Sequence, residues 1–179
     1  MVNGAAGGVG LLVATWAKAL GAVVIALVGS PSKAAALTAR GIPHVLDAND
    51  PEWVSKVAQI TQGRGVDVSF ELVGGPNFTK SVETLRDGAA IVHIGNASGS
   101  IAVDKELLAS RSIAFTKYST AQVIDNRQLL ELASSDLFQA LESNVFGEIE
   151  VSTFSLAEAN RAHEALAART VTGSIVLTP

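Results

Sequence analysis

The chain has no cysteine, which excludes disulfides, thiolate zinc sites and a cysteine nucleophile. It is also short of charge. Only 17% of its 179 residues are Asp, Glu, Lys or Arg, against 48% hydrophobic ones, so it is more apolar and less charged than an average soluble domain. The balance is mildly acidic, −4 at pH 7, and gives no reason to expect nucleic acid or an anionic membrane as partner. No apolar run is long enough to span a bilayer. His44, His93 and His163 fall on different segments with no metal-ligand spacing. There is no internal repeat and no low-complexity tract. What remains is a chain of one domain's length with a sizeable core, apolar enough for a sheet covered by helices on both faces. It is also apolar enough to leave a face for a partner to cover.

What is present is organised around Asn3-Gly4-Ala5-Ala6-Gly7-Gly8-Val9-Gly10. This stretch follows a stub of strand and runs directly into a helix-period segment. Gly7 and Gly10 occupy the second and third positions of a G-x-G-x-x-G turn, with Ala5 in the first. In a strand-turn-helix setting position 5 makes the tight turn. Position 7 lets the backbone approach a pyrophosphate, and position 10 lets the helix lie close on the sheet. The N–H groups and partial positive charge of the helix N-terminus then favour a phosphate.

Two periodicities alternate after this turn. A helix with Val9, Leu12, Val13, Trp16, Ala17 and Leu20 on its apolar stripe is closed by Gly21. A buried strand is expected over 22–28, a helix over 31–40, and a short strand over 43–46. Asp50-Pro51 reads as a helix start, with Val54, Val57, Ala58 and Thr61 facing inward. Strands follow over 66–72, 89–94 and 113–118. Between them lie a helix opened by Pro76, with Phe78, Val82 and Leu85 on one side, and a short helix over 104–109. Repeated β-α-β with short connections requires right-handed crossovers and a parallel sheet. The tail changes character, with a helix over 126–141 and an extended stretch over 147–153. A capping box at Ser155 and Glu158 starts a helix ending near Arg169, and a last strand covers 173–177. This α-β return is expected to pack on something other than the main sheet.

Gly7, Gly74 and Gly95 close three strands at the carboxyl edge, where open α/β sheets bind ligands. A dinucleotide is the expected ligand. The second strand chooses between cofactors, because an NAD-type site carries Asp or Glu about 20 residues after the glycine turn. Here the strand ends Leu27-Val28-Gly29-Ser30, without a carboxylate, and Lys33 follows. Ser30 can donate a hydrogen bond to a 2′-phosphate and Lys33 can supply a charge, so NADPH is favoured over NADH. The turn has no Gly-Lys-Ser/Thr, which excludes an ATPase P-loop. Val73, Gly74, Gly95 and Asn96 complete the expected cofactor contacts alongside Ala5, Ala6, Gly7, Gly8, Val9, Gly10, Ser30 and Lys33.

No catalytic constellation or metal site is visible. His93 lies within a strand and reads as packed. His163 sits on the inner stripe of the last helix with Leu156, Ala159 and Leu166. Glu71, just before Val73-Gly74-Gly75, reads as a hydrogen-bond acceptor for a neighbouring loop rather than a proton donor. Tyr118, on the sixth strand, is a possible acid. A domain that only holds a nicotinamide cofactor has this look, because the cofactor carries the chemistry.

The residues 2–10, Ala17-Lys18-Ala19-Leu20-Gly21-Ala22, Gly65-Val66-Asp67-Val68 and Val73-Gly74-Gly75 resemble the medium-chain dehydrogenase/reductase superfamily. So do Ile94-Gly95 with Ser98-Gly99, Ala162-His163, and Thr172-Gly173 with Ile175-Val176-Leu177. The branch resembled is that of the zinc-free quinone oxidoreductases related to zeta-crystallin. The resemblance implies a Rossmann-type, doubly wound α/β fold with sheet order 3-2-1-4-5-6. It also implies NADPH-dependent reduction of a quinone, an enone or a related conjugated carbonyl. The composition fits a cytoplasmic enzyme fragment, and the resemblance further implies that a catalytic domain precedes the cofactor domain. On that basis residues 1–142 form the dinucleotide-binding domain, and 143–179 pack on the catalytic domain that is not present here. The chain would then be inactive or nearly so alone, and its start two residues before Asn3 suggests an excised half. Two positions depart from the family's pattern, Ser174 for a usual lysine and Ala48 for a usual aromatic. The sixth strand, as an edge, invites pairing with a second copy, and family members usually dimerise there. A stand-alone nucleotide-binding regulatory module stays open, as does the cofactor domain of a zinc alcohol dehydrogenase or an enoyl-thioester reductase.

Overall fold

The first six strand segments form one parallel sheet, with helical segments returning over its two faces. The computed structural model describes residues 1–168 and 170–179. The chain runs β1 (Val2–Asn3), α1 (Gly8–Ala19), β2 (Ile25–Val28), α2 (Pro31–Ala39), β3 (His44–Asp47), α3 (Trp53–Ile60) and β4 (Val66–Glu71). It continues through α4 (Asn77–Glu83), β5 (Leu85–His93), α5 (Lys105–Ser110), β6 (Ala114–Lys117), α6 (Thr120–Ile124) and α7 (Arg127–Glu142). It ends with β7 (Val151–Ser155), α8 (Ala159–Ala167) and β8 (Ser174–Thr178). The six-stranded sheet has the order β3-β2-β1-β4-β5-β6, and β7 and β8 form a separate parallel pair. This is the Rossmann-type arrangement that the family resemblance implies.

Two cores lie on opposite faces of the sheet. Ile25, Leu27 and Ile91 pack with Trp53 and Val57 of α3, Phe78 and Val82 of α4, and Leu108 of α5. Val2, Ala26 and Val28 pack with Leu11 and Ala14 of α1 and Leu37 of α2. Each fully buried aliphatic side chain contributes roughly 1.5–3 kcal/mol, so these clusters rather than helix propensity hold the layers together. At the amino ends of the strands, Arg64 and Arg86 both donate to Asp67 and hold its carboxyl down at about 2. A cleft of about 460 Å³ lined by Met1, Val24, Ile25, Val66 and Val68 opens on that same edge, away from the glycine turn.

Several local expectations shift. The buried stripe of α1 is Leu11, Ala14 and Thr15, while Val9 is 53% and Leu20 78% exposed. The glycine turn rotates the helix so that Gly10, Leu11, Ala14 and Thr15 meet the sheet, with Val13 and Ala17 packed beside them. Strand β2 starts at Ile25 rather than at 22, and Val23 is exposed. Asp50 caps a turn before α3 by accepting from the Glu52 N–H, so α3 starts at Trp53 and buries Trp53 and Val57, with Ala58 exposed. Leu85 belongs to β5, not to the helix that Pro76 opens. The Ser155 hydroxyl bonds the Glu158 carboxylate instead of capping a backbone N–H, and a 3-10 turn, Leu156–Glu158, precedes α8. Residue 169, near which that helix was expected to end, lies outside the described residues. His163 is exposed, as are Leu156 and Leu166, and the buried residue of α8 is Ala162. Helix α6 carries a capping box at Ser119 and Gln122 that the sequence reading passed over.

Candidate functional site

The glycine turn sits where the sheet order reverses, between β1 and β4, with its loop on the carboxyl edge. The tight turn falls one residue earlier than the spacing suggests. Gly4 has φ +74, and Gly4 and Ala5 both donate to the Leu27 carbonyl at 3.1 and 3.2 Å. Gly4 therefore does the work assigned to position 5, which is why alanine fits there. Ala5 and Ala6 are buried, so they offer a ligand only backbone atoms. Gly10 is required by packing, since a Cβ there would lie 2.2 Å from the Gly4 carbonyl oxygen. Gly7 is different. It is exposed, has an ordinary φ of −77, and a Cβ there would meet only the Gly4 carbonyl oxygen at 3.5 Å. No side chain caps α1, which leaves the N–H groups of its first turn facing outward.

On one side of this turn lies the end of β2. Ser30 holds the N-cap position of α2 without capping it, and its hydroxyl pairs with that of Ser32 at 3.1 Å. Lys33 follows in the first turn of α2 and makes no ion pair among the described residues. The carboxylate at this corner belongs to β3. Asp47 accepts from the backbone N–H and the side chain of Asn49, which also donates to the Gly29 carbonyl at 3.1 Å. Ser32 and Asn49 escaped the sequence reading. Ser32 could have been found from its place in the Ser30-Pro31-Ser32-Lys33 run, whereas nothing local marks Asn49.

On the other side the loops after β4 and β5 are zipped together. Ser98 donates its N–H to the Val73 carbonyl at 2.7 Å, and Ala97 to that of Leu72 at 3.2 Å. Gly74, at φ +67, lies so close to the second loop that a Cβ would sit 2.3 Å from the Gly99 carbonyl oxygen and 3.4 Å from Asn96 Oδ1. At Gly95 it would sit 2.9 Å from the Leu72 carbonyl oxygen. Both glycines are therefore demanded by loop packing. His93 is 3% exposed, stacks on Phe115 and pairs through Nε2 with Asn96 Oδ1 at 2.9 Å. Glu71 accepts the backbone N–H groups of Val73 and Gly74, both at 2.8 Å, the loop-holding contact that its position suggested. The structure thus brings Val73, Gly74, Gly95 and Asn96 together opposite Gly7, with Ser30 and Lys33 at the far corner.

The tail reaches this site, which no local pattern announces. Gly173 bridges Gly7, donating its N–H to the Ala6 carbonyl at 3.2 Å. The Ser174 hydroxyl stands 2.5 Å from where a Cβ of Gly8 would be. Arg40 anchors the same segment by donating to Glu150 and to the Phe146 carbonyl, and Trp16 packs edge-on against Phe146. Beyond these contacts Val151, Leu156, Leu166 and Val176 are exposed, as are Leu132 and Phe138 of α7. Among the described residues no helix is long and apolar enough to cross a membrane.

Residues 8–135 match the zinc-binding dehydrogenase family profile. Over its whole length the chain is 34% identical to quinone oxidoreductase 1 of Escherichia coli strain K12, of which it covers 56%. It is 33% identical to a 2-haloacrylate reductase of a Burkholderia species, again over its whole length and 55% of that protein. The crystal structure of Escherichia coli quinone oxidoreductase complexed with NADPH superposes with a TM-score of 0.90 at 34% identity, covering 99% of this chain and 56% of that one. The chain therefore spans about half the length of the curated relatives that it matches.

The zinc in the family's description does not fit this chain. It has no cysteine, and no three histidines or acids among the described residues come together to hold a metal ion.

Proposed function

Because the chain belongs to the zinc-binding dehydrogenase family, we propose that it is the NADPH-binding half of a reductase acting on a quinone, an enone or a related conjugated carbonyl. The observation that carries the proposal is Gly7, a glycine that neither backbone conformation nor protein packing requires, set at the uncapped start of α1. The backbone there is open to a pyrophosphate, which the N–H groups of the helix start would hold. The adenosine half would lie toward β2, where Ser30 donates a hydrogen bond to the 2′-phosphate and Lys33 neutralises it. The other half would lie toward Val73, Gly74, Gly95 and Asn96. Bound nicotinamide supplies the hydride, and this chain's residues seat and orient it. Binding of NADPH to a relative solved with it supports the same assignment.

Titration of the 179-residue chain with NADPH and NADH tests this reading. NADPH is expected to bind more tightly. Lys33→Ala should reduce that preference about tenfold or more, since a charge-assisted hydrogen bond is worth ~1.5–3 kcal/mol. An unchanged ratio would remove Lys33 from the site, and a chain that binds neither nucleotide would end the proposal.

The relatives are nearly twice as long as the matched region. We propose that their additional length supplies most of the substrate pocket and covers the exposed apolar side chains of residues 143–179, with residues 1–142 as the cofactor domain. A module that binds the nucleotide without chemistry is the second reading, favoured by the lack, among the described residues, of any group of three His, Asp or Glu that could hold a metal ion. Quinone-dependent NADPH oxidation by a full-length protein separates the two. Cytoplasmic placement belongs to the same proposal.

We also propose a homodimer through the free edge of β6, which carries Ala114, Phe115, Thr116 and Lys117 and is largely exposed. An unpaired strand edge is a template for a second copy. Light scattering is expected to give twice the chain mass. A monomer at high concentration would refute this.

A further inference from the structure

One row of side chains crosses the sheet just below its carboxyl edge. Strand pairing sets Leu46, Leu27, Asn3, Glu71, His93 and Lys117 side by side. The β3 and β2 members are apolar, and from β1 onward every member is polar. Glu71 lies in the middle of the polar part, is 2% exposed, and forms no ion pair among the described residues. Burying a carboxylate without a cation is costly unless its oxygens are hydrogen-bonded.

Its bonds join the two walls of the crevice. Oε1 accepts from Val73 and Gly74 N–H, both at 2.8 Å, and Oε2 accepts from Asn3 Nδ2 at 2.6 Å. Asn3 is the last residue of β1, immediately before Gly4. The same Asn3 amide nitrogen donates to Ser81 of α4 at 3.0 Å, so its position is fixed from two directions. The two turns also touch directly, since a Cβ on Gly4 would stand 2.8 Å from Val73 Cγ2. One buried carboxylate thus grips the start of the phosphate turn and the turn after β4 at once.

We propose that Glu71 is a positioning residue for the nicotinamide half of the dinucleotide. It sets the separation between the glycine turn and the Val73-Gly74 turn, and it keeps the N–H groups of that second turn directed away from the ligand. The proposal rests on the NADPH reading above. In a doubly wound sheet the two halves of a dinucleotide lie on opposite sides of the switch point. The adenosine half meets β2 and α2, which Glu71 does not touch. Loss of the carboxylate should therefore weaken one half of the ligand's grip and spare the other.

The test titrates the 179-residue chain and its Glu71→Ala and Glu71→Gln variants with NADPH and with 2′,5′-ADP, which carries only the phosphorylated adenosine end. Glu71→Ala is expected to weaken NADPH about tenfold or more while 2′,5′-ADP stays within about twofold. Glu71→Gln should fall between, because its amide oxygen still accepts from Val73 and Gly74. Unchanged NADPH affinity in both variants overturns the proposal, and so does an equal loss for both ligands, the mark of a purely structural role. Should the alanine variant not fold, the same split in Glu71→Gln decides. A wild-type chain that binds neither ligand overturns the cofactor reading and this role with it. A wild type that binds both while the variants show no split overturns only the role of Glu71.

Discussion

Gly7→Ala and Gly10→Ala are expected to abolish tight NADPH binding by different routes. At position 10 the new Cβ would lie 2.2 Å from the Gly4 carbonyl oxygen, 2.9 Å from its carbon and 3.0 Å from Ala5 Cα. All three are backbone atoms, so no side chain can swing aside and α1 must move off the sheet. That opens the contacts of Leu11 and Ala14 and should cost about 1–3 kcal/mol, with a melting temperature lower by roughly 2–4 °C per kcal/mol for a domain of this size. At position 7 the new Cβ makes an ordinary contact at 3.5 Å, and φ −77 suits alanine. The stability change there should not exceed about 1 kcal/mol, set by alanine's poorer fit at an N-cap. Yet the methyl group would occupy the side from which a pyrophosphate approaches, and a loss of about a hundredfold in affinity follows from displacing two charge-assisted bonds. Thermal melts paired with fluorescence titration separate the two routes. If Gly7→Ala binds NADPH as well as wild type, the glycine turn does not hold the phosphates.

Gly173→Ala is expected to weaken NADPH binding although residue 173 lies far along the chain from the glycine turn. Gly173 has φ +77, a left-handed conformation that costs a side-chain-bearing residue roughly 1–3 kcal/mol. A Cβ there would also lie 2.2 Å from the Glu150 carbonyl oxygen. Relief requires β8 to slide against β7, whose register sets Val151 beside Ser174. Sliding breaks the bond from Gly173 N–H to the Ala6 carbonyl and carries Ser174 away from Gly8. The glycine turn then loses its support on that side. Affinity should fall about tenfold, the equivalent of one hydrogen bond. Ile175→Val, two residues further on within β8 and free of both constraints, is the control and should leave binding unchanged. Equal affinities in the glycine variant and the control would detach the tail from the site.

Much of the fold was legible because local chemistry and global architecture agree along this chain. The strand 66–71 and the helices after Pro31, Asp104 and Asn126 stand within a residue or two of their expected places. Their Pro, Asp and Asn residues open or cap helices by properties of their own neighbourhood, such as Asn126 accepting from the Leu129 N–H. The α1 stripe held only in part, at Val13 and Ala17, for the converse reason. Gly8, Val9 and Gly10 belong to both the turn and the helix, so close approach at Gly10 rather than hydrophobic period chose the buried face. Ser155 failed likewise, its hydroxyl taken by the Glu158 side chain.

The sequence by itself determined the alternation of strand and helix, a parallel sheet, a glycine-rich turn at 3–10 and an acid-free end to β2 with Lys33 behind it. Each of these depends on residues within a few positions of one another. Only the tertiary structure decided that Gly4 makes the tight turn, that neither a positive φ nor a close protein contact requires Gly7, and that Gly173 reaches the same turn. It alone joined Asn3 to Glu71 and Ser81. These contacts span many elements of the chain, and their geometry is set by how the crossovers stack the strands. Periodicity reports which face of a segment is apolar, whereas the partner opposite that face is chosen by packing.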